Sequence, residues 1–274
     1  MSQESNAPPN VLAVLVSAGI TRYLSDTLRG LAGQLRPPEA VLVVDVNPDA
    51  DAGNRRASQI RAVAQASGLA LESLRVVRAP DARTFGAGVA AGLTELARQP
   101  SGGDRLAAAR WLWFLHDDSS PEPEALGALL VEAQSDPSVA LVGPKQRDWD
   151  QPGRILELGV TTSRGGRRSL GFDEGELDQG QHDDRREVLA VGTAGALVRA
   201  SVWDGLGGTD PVLGPYGDGL DLSRRARLAG HRVVVAPLAV VRHARAGYRG
   251  LRPAPDGERP PAPDSRRSFR ARRK

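Results

Sequence analysis

Trp111-Leu112-Trp113-Phe114-Leu115 sets five large apolar residues in a row with no polar alternation. Such a run reads as a strand buried on both faces, the kind found inside sheets that helices cover on either side. It leads straight into His116-Asp117-Asp118-Ser119-Ser120-Pro121. A buried strand holds side chains at its carboxyl end with little positional slack, and two adjacent carboxylates there repel each other and lose hydration. Their natural counter-charge is a hard divalent cation, which takes oxygen ligands and also grips phosphates. The same residues suit a helix start, because Ser, Asp and early Pro favour such positions and Pro121-Glu122-Pro123-Glu124 follows at once. Local sequence leaves both readings standing.

The first half of the chain alternates strand and helix signals. Val11 to Val16 reads as the first strand and Val41 to Asp45 as the second, with Leu24, Leu28, Leu31 and Leu35 at helical spacing between them. A helix from about Asn54 to Ala66, a strand Leu74 to Val77 and a helix around Ala87 to Ala97 follow, and then the Trp111 strand. Beyond the acidic turn, Leu126, Leu129, Leu130 and Ala133 mark one helix face, and Val139 to Val142 a further strand. This pattern predicts an α/β fold with a mostly parallel sheet and helices on both faces. Ligands in such folds gather beyond the carboxyl ends of the strands, where Ser17, Asp45, Asp117 and Asp118 fall.

Residues 145–187 are less regular, with strand-like pieces from Ile155 to Thr162 and an acidic stretch from Asp173 to Asp184 that reads equally as a functional loop or a solvated excursion. Strands are expected again at Val188 to Val191 and Gly195 to Val198. A helix from Asp218 to Ala229 and a strand Val233 to Ala236 leading to Val240-Val241-Arg242-His243 complete the mixed C-terminal part.

With 274 residues the chain can bury a substantial core in one main domain. It contains no cysteine, so any metal must be held by Asp, Glu, His or backbone oxygens. The N-terminus shows no basic start, apolar core and small-residue cleavage site, and the early apolar stretch Val11 to Ile20 is short, so neither secretion nor membrane spanning is expected. Arg266, Arg267, Arg270, Arg272, Arg273 and Lys274 supply six positive charges, and taking these from the formal +3 leaves −3. The basic balance belongs to a tail rather than to a nucleic-acid-binding body, and no nucleic-acid partner is expected. A Pro-rich stretch from Pro253 to Pro263 reads as an extended linker. The expected organisation is a flexible N-terminus at 1–9, one domain at 10–250, and a linker with Arg-rich tail at 251–274.

Taken in order, these motifs resemble family 2 glycosyltransferases of GT-A fold over roughly residues 10–247. Val43-Val44-Asp45 looks like the family's base-contacting aspartate segment, Phe85-Gly86-Ala87-Gly88 its glycine turn, and Leu115-His116-Asp117-Asp118 with Pro121-Glu122-Pro123 its metal motif. Gly192 to Arg199 with Leu206-Gly207-Gly208-Thr209-Asp210 is similar to the acceptor-side strand and turn. Asp218-Gly219-Leu220-Asp221-Leu222 and Arg225 to Val233 resemble the helix of the catalytic base, and His243 falls where a late metal ligand is often supplied. The arrangement is also similar to a group of actinobacterial transferases whose catalytic domain is joined to membrane-spanning segments.

The resemblance implies a metal-assisted, inverting hexosyltransferase-like enzyme that uses a nucleotide diphosphate sugar with Mn2+ or Mg2+. Ser17, Asp45, Gly86 and Asp117 would then bind the nucleotide sugar, and Asp118, His243 and His116 the metal. The acceptor would be a cell-envelope glycan or lipid-linked sugar, handled in the cytoplasm at the inner face of the plasma membrane, with the basic residues 266–274 against anionic lipid. Two positions depart from the family pattern: His116 stands where the metal motif usually begins with Asp, and Gly219 where the second acid of the active-site helix, the expected base, usually stands. Glycine accepts no proton, which leaves Asp218 and Asp221, three apart on one helical face, as the candidate bases. The competing reading is a transferase-like domain that binds nucleotide or glycan without turnover, as scaffold or regulator. Gly86-Ala87-Gly88-Val89-Ala90-Ala91 formally fits a dinucleotide fingerprint, but that motif belongs directly after the first strand.

Overall fold

The computed structural model describes residues 10–49, 53–162, 168–210, 212 and 217–251. The chain divides into two compact units, one ending at His243 and one starting at Ala244. In the second, Arg245 lies over the ring of Tyr248 at 5.4 Å. The expected N-terminal arm and nearly all of the linker and tail lie outside the described residues. No helix among the described residues is long and apolar enough to cross a membrane.

The first unit is built on one sheet. Strands β1 (Val11–Ser17), β2 (Ala40–Asp45), β3 (Leu74–Arg78) and β4 (Trp111–His116) stand in the order β3-β2-β1-β4, all parallel. Every residue of β1 and β2 is buried, as are the five apolar residues of β4, in keeping with strands covered on both faces. Helices α1 (Leu24–Ala32), α2 (Gly53–Ala66), α3 (Phe85–Arg98) and α4 (Gly102–Ala108) make the crossovers. The core forms two layers, with Leu24, Leu28, Leu31 and Ile60 against one sheet face and Val89, Leu93 and Leu96 against the other. Gly88 and Gly92 lay α3 close to the sheet: an added Cβ would come within 2.9 Å of Val16 and 2.3 Å of Val44.

Beyond β4 the sheet becomes mixed. Strands β5 (Ser119–Pro121), β6 (Val139–Asp148), β7 (Ile155–Glu157), β10 (Leu197–Arg199) and β11 (Arg232–His243) join it, while β8 (Thr161–Thr162) and β9 (Arg168–Ser169) form a separate hairpin. Strand β10 runs antiparallel to both β4 and β6, β11 runs parallel to β6, and β5 pairs antiparallel with the end of β11. Helices α5 (Ala125–Gln134), α6 (Ala200–Gly205) and α7 (Asp218–Leu228) complete the unit.

Several expectations change. Helix α1 stops at Ala32 with Gly33 as its C-cap, so Leu35 is not on its face and is 75% exposed. Strand β6 does not end at Val142 but continues to Asp148, because β11 and β7 pair with its second half despite Gly143-Pro144, which reads as a breaker in sequence. Residues 188–191 form no strand: Glu187 bridges Val234 and Ala190 bridges Val160, so neither partner extends a ladder. The last two strand signals are one strand, β11, with a register shift between Ala236 and Val240.

The acidic stretch is a folded excursion clamped onto β6. Lys145, 2% exposed, reaches Asp178 at 3.0 Å and Asp183 at 2.5 Å, and Arg147 reaches Asp178 from β6 as well. Gln181, the backbone N–H of Asp173 and His182 hold the Glu176 carboxyl down at about 2.

Candidate active site at the strand ends

Because β2, β1 and β4 are neighbouring parallel strands, Asp45, Ser17 and His116 end side by side, with Asp117 and Asp118 just beyond. The acidic turn is fixed by α1. Thr27 Oγ1 donates to the Asp117 carbonyl at 2.9 Å, and Gly30 packs so closely that a Cβ there would lie 2.6 Å from the Pro121 carbonyl. Asp117 and Asp118 cap no helix, since β5 intervenes before α5 begins at Ala125. That short strand also explains His243: Ser119 pairs with His243 across the β5–β11 ladder, which sets the histidine beside Asp118.

His116, Asp118 and His243 form a cluster in which one potential ligand atom from each lies within 4.8 Å of the others. His243 Nδ1 lies 2.9 Å from Gln146 Oε1, and its Nε2 3.6 Å from Asp118 Oδ1. The amide carbonyl accepts a hydrogen bond from Nδ1–H, an arrangement in which Nε2 of an uncharged ring turns its lone pair to a buried carboxylate. Two acceptors facing each other at that distance suit a cation between them. Two imidazoles and a carboxylate are a donor set that divalent transition ions accept. His116 Nε2 pairs with Thr193 Oγ1 at 2.9 Å, and its ring stacks on Phe85 with centroids 4.2 Å apart.

Ser17 and Asp117 come together as expected, Ser17 Oγ lying 3.1 Å from Asp117 Oδ2 and 2.6 Å from the Gly19 carbonyl. Asp45 is adjacent in register but turns its carboxylate to α2. Arg56 Nη1 lies 3.1 Å from Asp45 Oδ2, and the backbone N–H of Asn47 donates to Oδ1 at 3.0 Å.

The second half of the site hangs on α3, capped at its start by Thr84, whose side chain accepts from the N–H of Ala87. The N–H of Gly86 donates to Asp218 Oδ2 at 2.8 Å. Gly86 is required sterically, since a Cβ there would sit 1.7 Å from Thr209 Oγ1. Asp218, 3% exposed, is the first residue of α7 and not its N-cap, which is Gly217. Burial raises its pKa; the Gly86 N–H opposes this and the nearby Asp221 adds to it. Its Oδ1 has no hydrogen-bond partner among the described residues. Asp221 is instead ion-paired with Arg225 at 2.6 Å, and Arg225 also holds the carbonyls of Leu206 and Gly208. At Gly219 a Cβ would lie 2.4 Å from the Val191 carbonyl, so no acid fits there without movement.

Phe85, Gln146, Thr193 and Thr209 were not singled out in the sequence. Phe85 stood only as part of a glycine turn, Gln146 fell beyond the apparent end of its strand, and Thr193 and Thr209 carry no pattern of their own. Phe85 stacks on His116 while the next residue binds Asp218, so one dipeptide joins the histidine cluster to the buried acid.

The model of the family described as "Glycosyltransferase like family 2" matches residues 8–253. The chain belongs to this family. Among solved structures, it is similar to GalNAc-T7 with UDP, GalNAc and Mn2+, at TM-score 0.63 and 11% identity, over 88% of this chain and 44% of that one. It is also similar to the mannosyltransferase PcManGT from Pyrobaculum calidifontis in complex with GDP-Man and Mn2+, at TM-score 0.55 and 16% identity, over 87% of this chain and 58% of that one. The family member thus shares its fold with these glycosyltransferases and spans about half of their length. No curated protein sequence matches the chain.

Proposed function

We propose that this family 2 domain transfers a sugar from a nucleoside diphosphate sugar to a hydroxyl acceptor with inversion, assisted by Mn2+ or Mg2+. The observation that carries the reading is the His116–Asp118–His243 cluster at the carboxyl ends of parallel strands, one dipeptide away from a buried carboxyl of raised proton affinity. Family membership and the Mn2+ and nucleotide-bound states of the similar structures agree with it.

In this reading Asp118, His243 and His116 hold the cation, which when bound supplies counter-charge for the departing diphosphate. Ser17 and Asp117 line the donor side, and Asp45, tied to Arg56, faces the nucleobase end. Asp218 takes the proton of the attacking hydroxyl. Its Oδ1 is the acceptor for this step, while the Gly86 N–H keeps Oδ2 in place. Asp221 is the weaker candidate because Arg225 occupies its carboxylate. The acceptor is a cell-envelope glycan or lipid-linked sugar at the inner membrane face, a reading that rests on likeness of motif order.

A second reading, binding without turnover, is favoured by one observation: Asp218 already serves as a structural acceptor for the start of α3, and Gly219 supplies no acid. Calorimetric titration with uridine, guanosine and thymidine diphosphates, with and without Mn2+, together with an assay of sugar release from the matching nucleotide sugars, separates the two. Metal-dependent binding with turnover supports transfer. Binding with no turnover for any sugar supports the scaffold, and no binding at all removes transfer and leaves the scaffold reading as one that binds glycan.

A further inference from the structure

Gln146 lies in the second half of β6, outside every motif above, and is 4% exposed. In the parallel β6–β11 ladder it stands opposite Val241, and its side chain reaches two residues along to His243 on the same face. Its amide nitrogen lies on the opposite side, next to Gly192. Glu157, the cross-strand neighbour of Gln146 in β7, and the Gln146 amide nitrogen both crowd Gly192, where a Cβ would lie 2.6 Å from Glu157 Oε1 and 3.1 Å from Gln146 Nε2. The amide nitrogen faces the Gly192 side and the carbonyl oxygen lies 2.9 Å from His243 Nδ1. Resting on the reading of His243 as a cation ligand, we propose that Gln146 is a positioning residue that locks His243 in its Nδ1–H tautomer and so presents Nε2 to the cation.

The physical effect is one of preorganisation. A histidine side chain free in water also populates the opposite tautomer, which would aim an N–H at the cation. A hydrogen-bonded partner on the remote nitrogen fixes both the tautomer and the ring plane, and losing one typically costs ~10–100-fold in metal affinity. The backbone N–H of Gly192 donates to Glu157 Oε1 at 2.6 Å, and the hydroxyl of the next residue, Thr193, lies 2.9 Å from His116 Nε2.

The test uses 15N-histidine labelling of the whole chain without metal, at a pH above the histidine range, with His243 identified by comparison with His243→Asn. Long-range 1H–15N spectra read the tautomer, and electron paramagnetic resonance reads Mn2+ binding. The expected results are an Nδ1–H pattern in the wild type, its loss in Gln146→Leu with Mn2+ affinity down ~10–100-fold, and its retention in Gln146→Glu, which keeps the acceptor. An Nε2–H pattern in the wild type overturns the proposal. So does a folded Gln146→Leu with unchanged tautomer and Mn2+ affinity. If Gln146→Leu does not fold, the wild-type and Gln146→Glu spectra decide. An Nδ1–H pattern without Mn2+ binding sinks the cation reading itself and leaves the hold of Gln146 on the ring intact, so the two failures are distinguishable.

Discussion

Asp218, the first residue of α7, accepts a hydrogen bond from the backbone N–H of Gly86, 132 residues earlier, at 2.8 Å. One carboxylate oxygen thereby satisfies an otherwise unpaired donor at the start of α3, while the other remains without a partner among the described residues. In the proposed reading, a structural and a proton-accepting role meet on this single side chain.

Asp218→Asn separates them. Asparagine keeps an acceptor for Gly86 but cannot take a proton, so transfer falls by ~10²–10⁴-fold, the range of a lost general base, while the fold persists. Burial raises the Asp218 pKa above the unfolded value, so its contribution to stability is full below the unfolded pKa and is lost as pH rises through the folded one. Thermal unfolding across that window should show this decline in the wild type and not in the variant.

An acid placed at Gly219 should not raise activity. The Cβ of Gly219→Asp would lie 2.4 Å from the Val191 carbonyl, and relieving such overpacking costs about 1–3 kcal/mol. A Tm lowered by several degrees with no gain in turnover is expected. A gain in turnover would show that α7 has room to shift and that Asp218 is not the base.

Removing the cluster's only carboxylate should abolish metal-dependent nucleotide binding. Asp118→Ala takes the charge from the His116–Asp118–His243 set, and the loss should exceed the ~10–100-fold typical of a remote partner. Calorimetry with nucleoside diphosphate and Mn2+, compared with the same titration in chelator, measures it. Unchanged metal dependence would move the cation away from this cluster.

The acidic excursion from Asp173 to Asp184 should come loose when its clamp is cut. The side chains of Lys145 and Asp178 are almost fully buried, and Lys145→Met leaves Asp178 paired with Arg147 alone, at a cost below the about 3–5 kcal/mol of an uncompensated buried charge. Lys145→Met should therefore lower Tm and open residues 170–187 to limited proteolysis. Burial pushes Asp178 up, but Lys145, Arg147 and the Gly180 N–H outweigh it and hold the carboxyl below its ordinary range. The clamp's stability is present above the unfolded pKa and lost as pH falls through the folded one, so proteolysis should also increase in acid.

Much of the parallel half was legible in the sequence because its signals are local. Continuous β-branched and aromatic runs give buried strands, leucines at helical spacing give α1, and parallel strands connected by helices force Ser17, Asp45 and His116 to one edge. The order of motifs carried the family as well, and the expected nearness of Asp118 and His243 is present. The acidic residues after β4, which read equally as helix caps, are kept from that role by the three-residue strand β5, too short to give a periodic signal.

What only the tertiary structure decided depends on contacts between segments far apart in the chain. Which acid is available is one case: Asp218 and Asp221 look alike on one helical face, but one is buried against Gly86 and the other is taken by Arg225. The state of Asp45 is another, because Arg56 comes from a different element and no spacing rule links them. Gln146 and Thr193 are a third, since their polar groups matter through the histidines they face across strands. Sequence fixes periodicity and chain order through local sterics and burial, whereas the direction and partner of each polar side chain are set by packing in three dimensions.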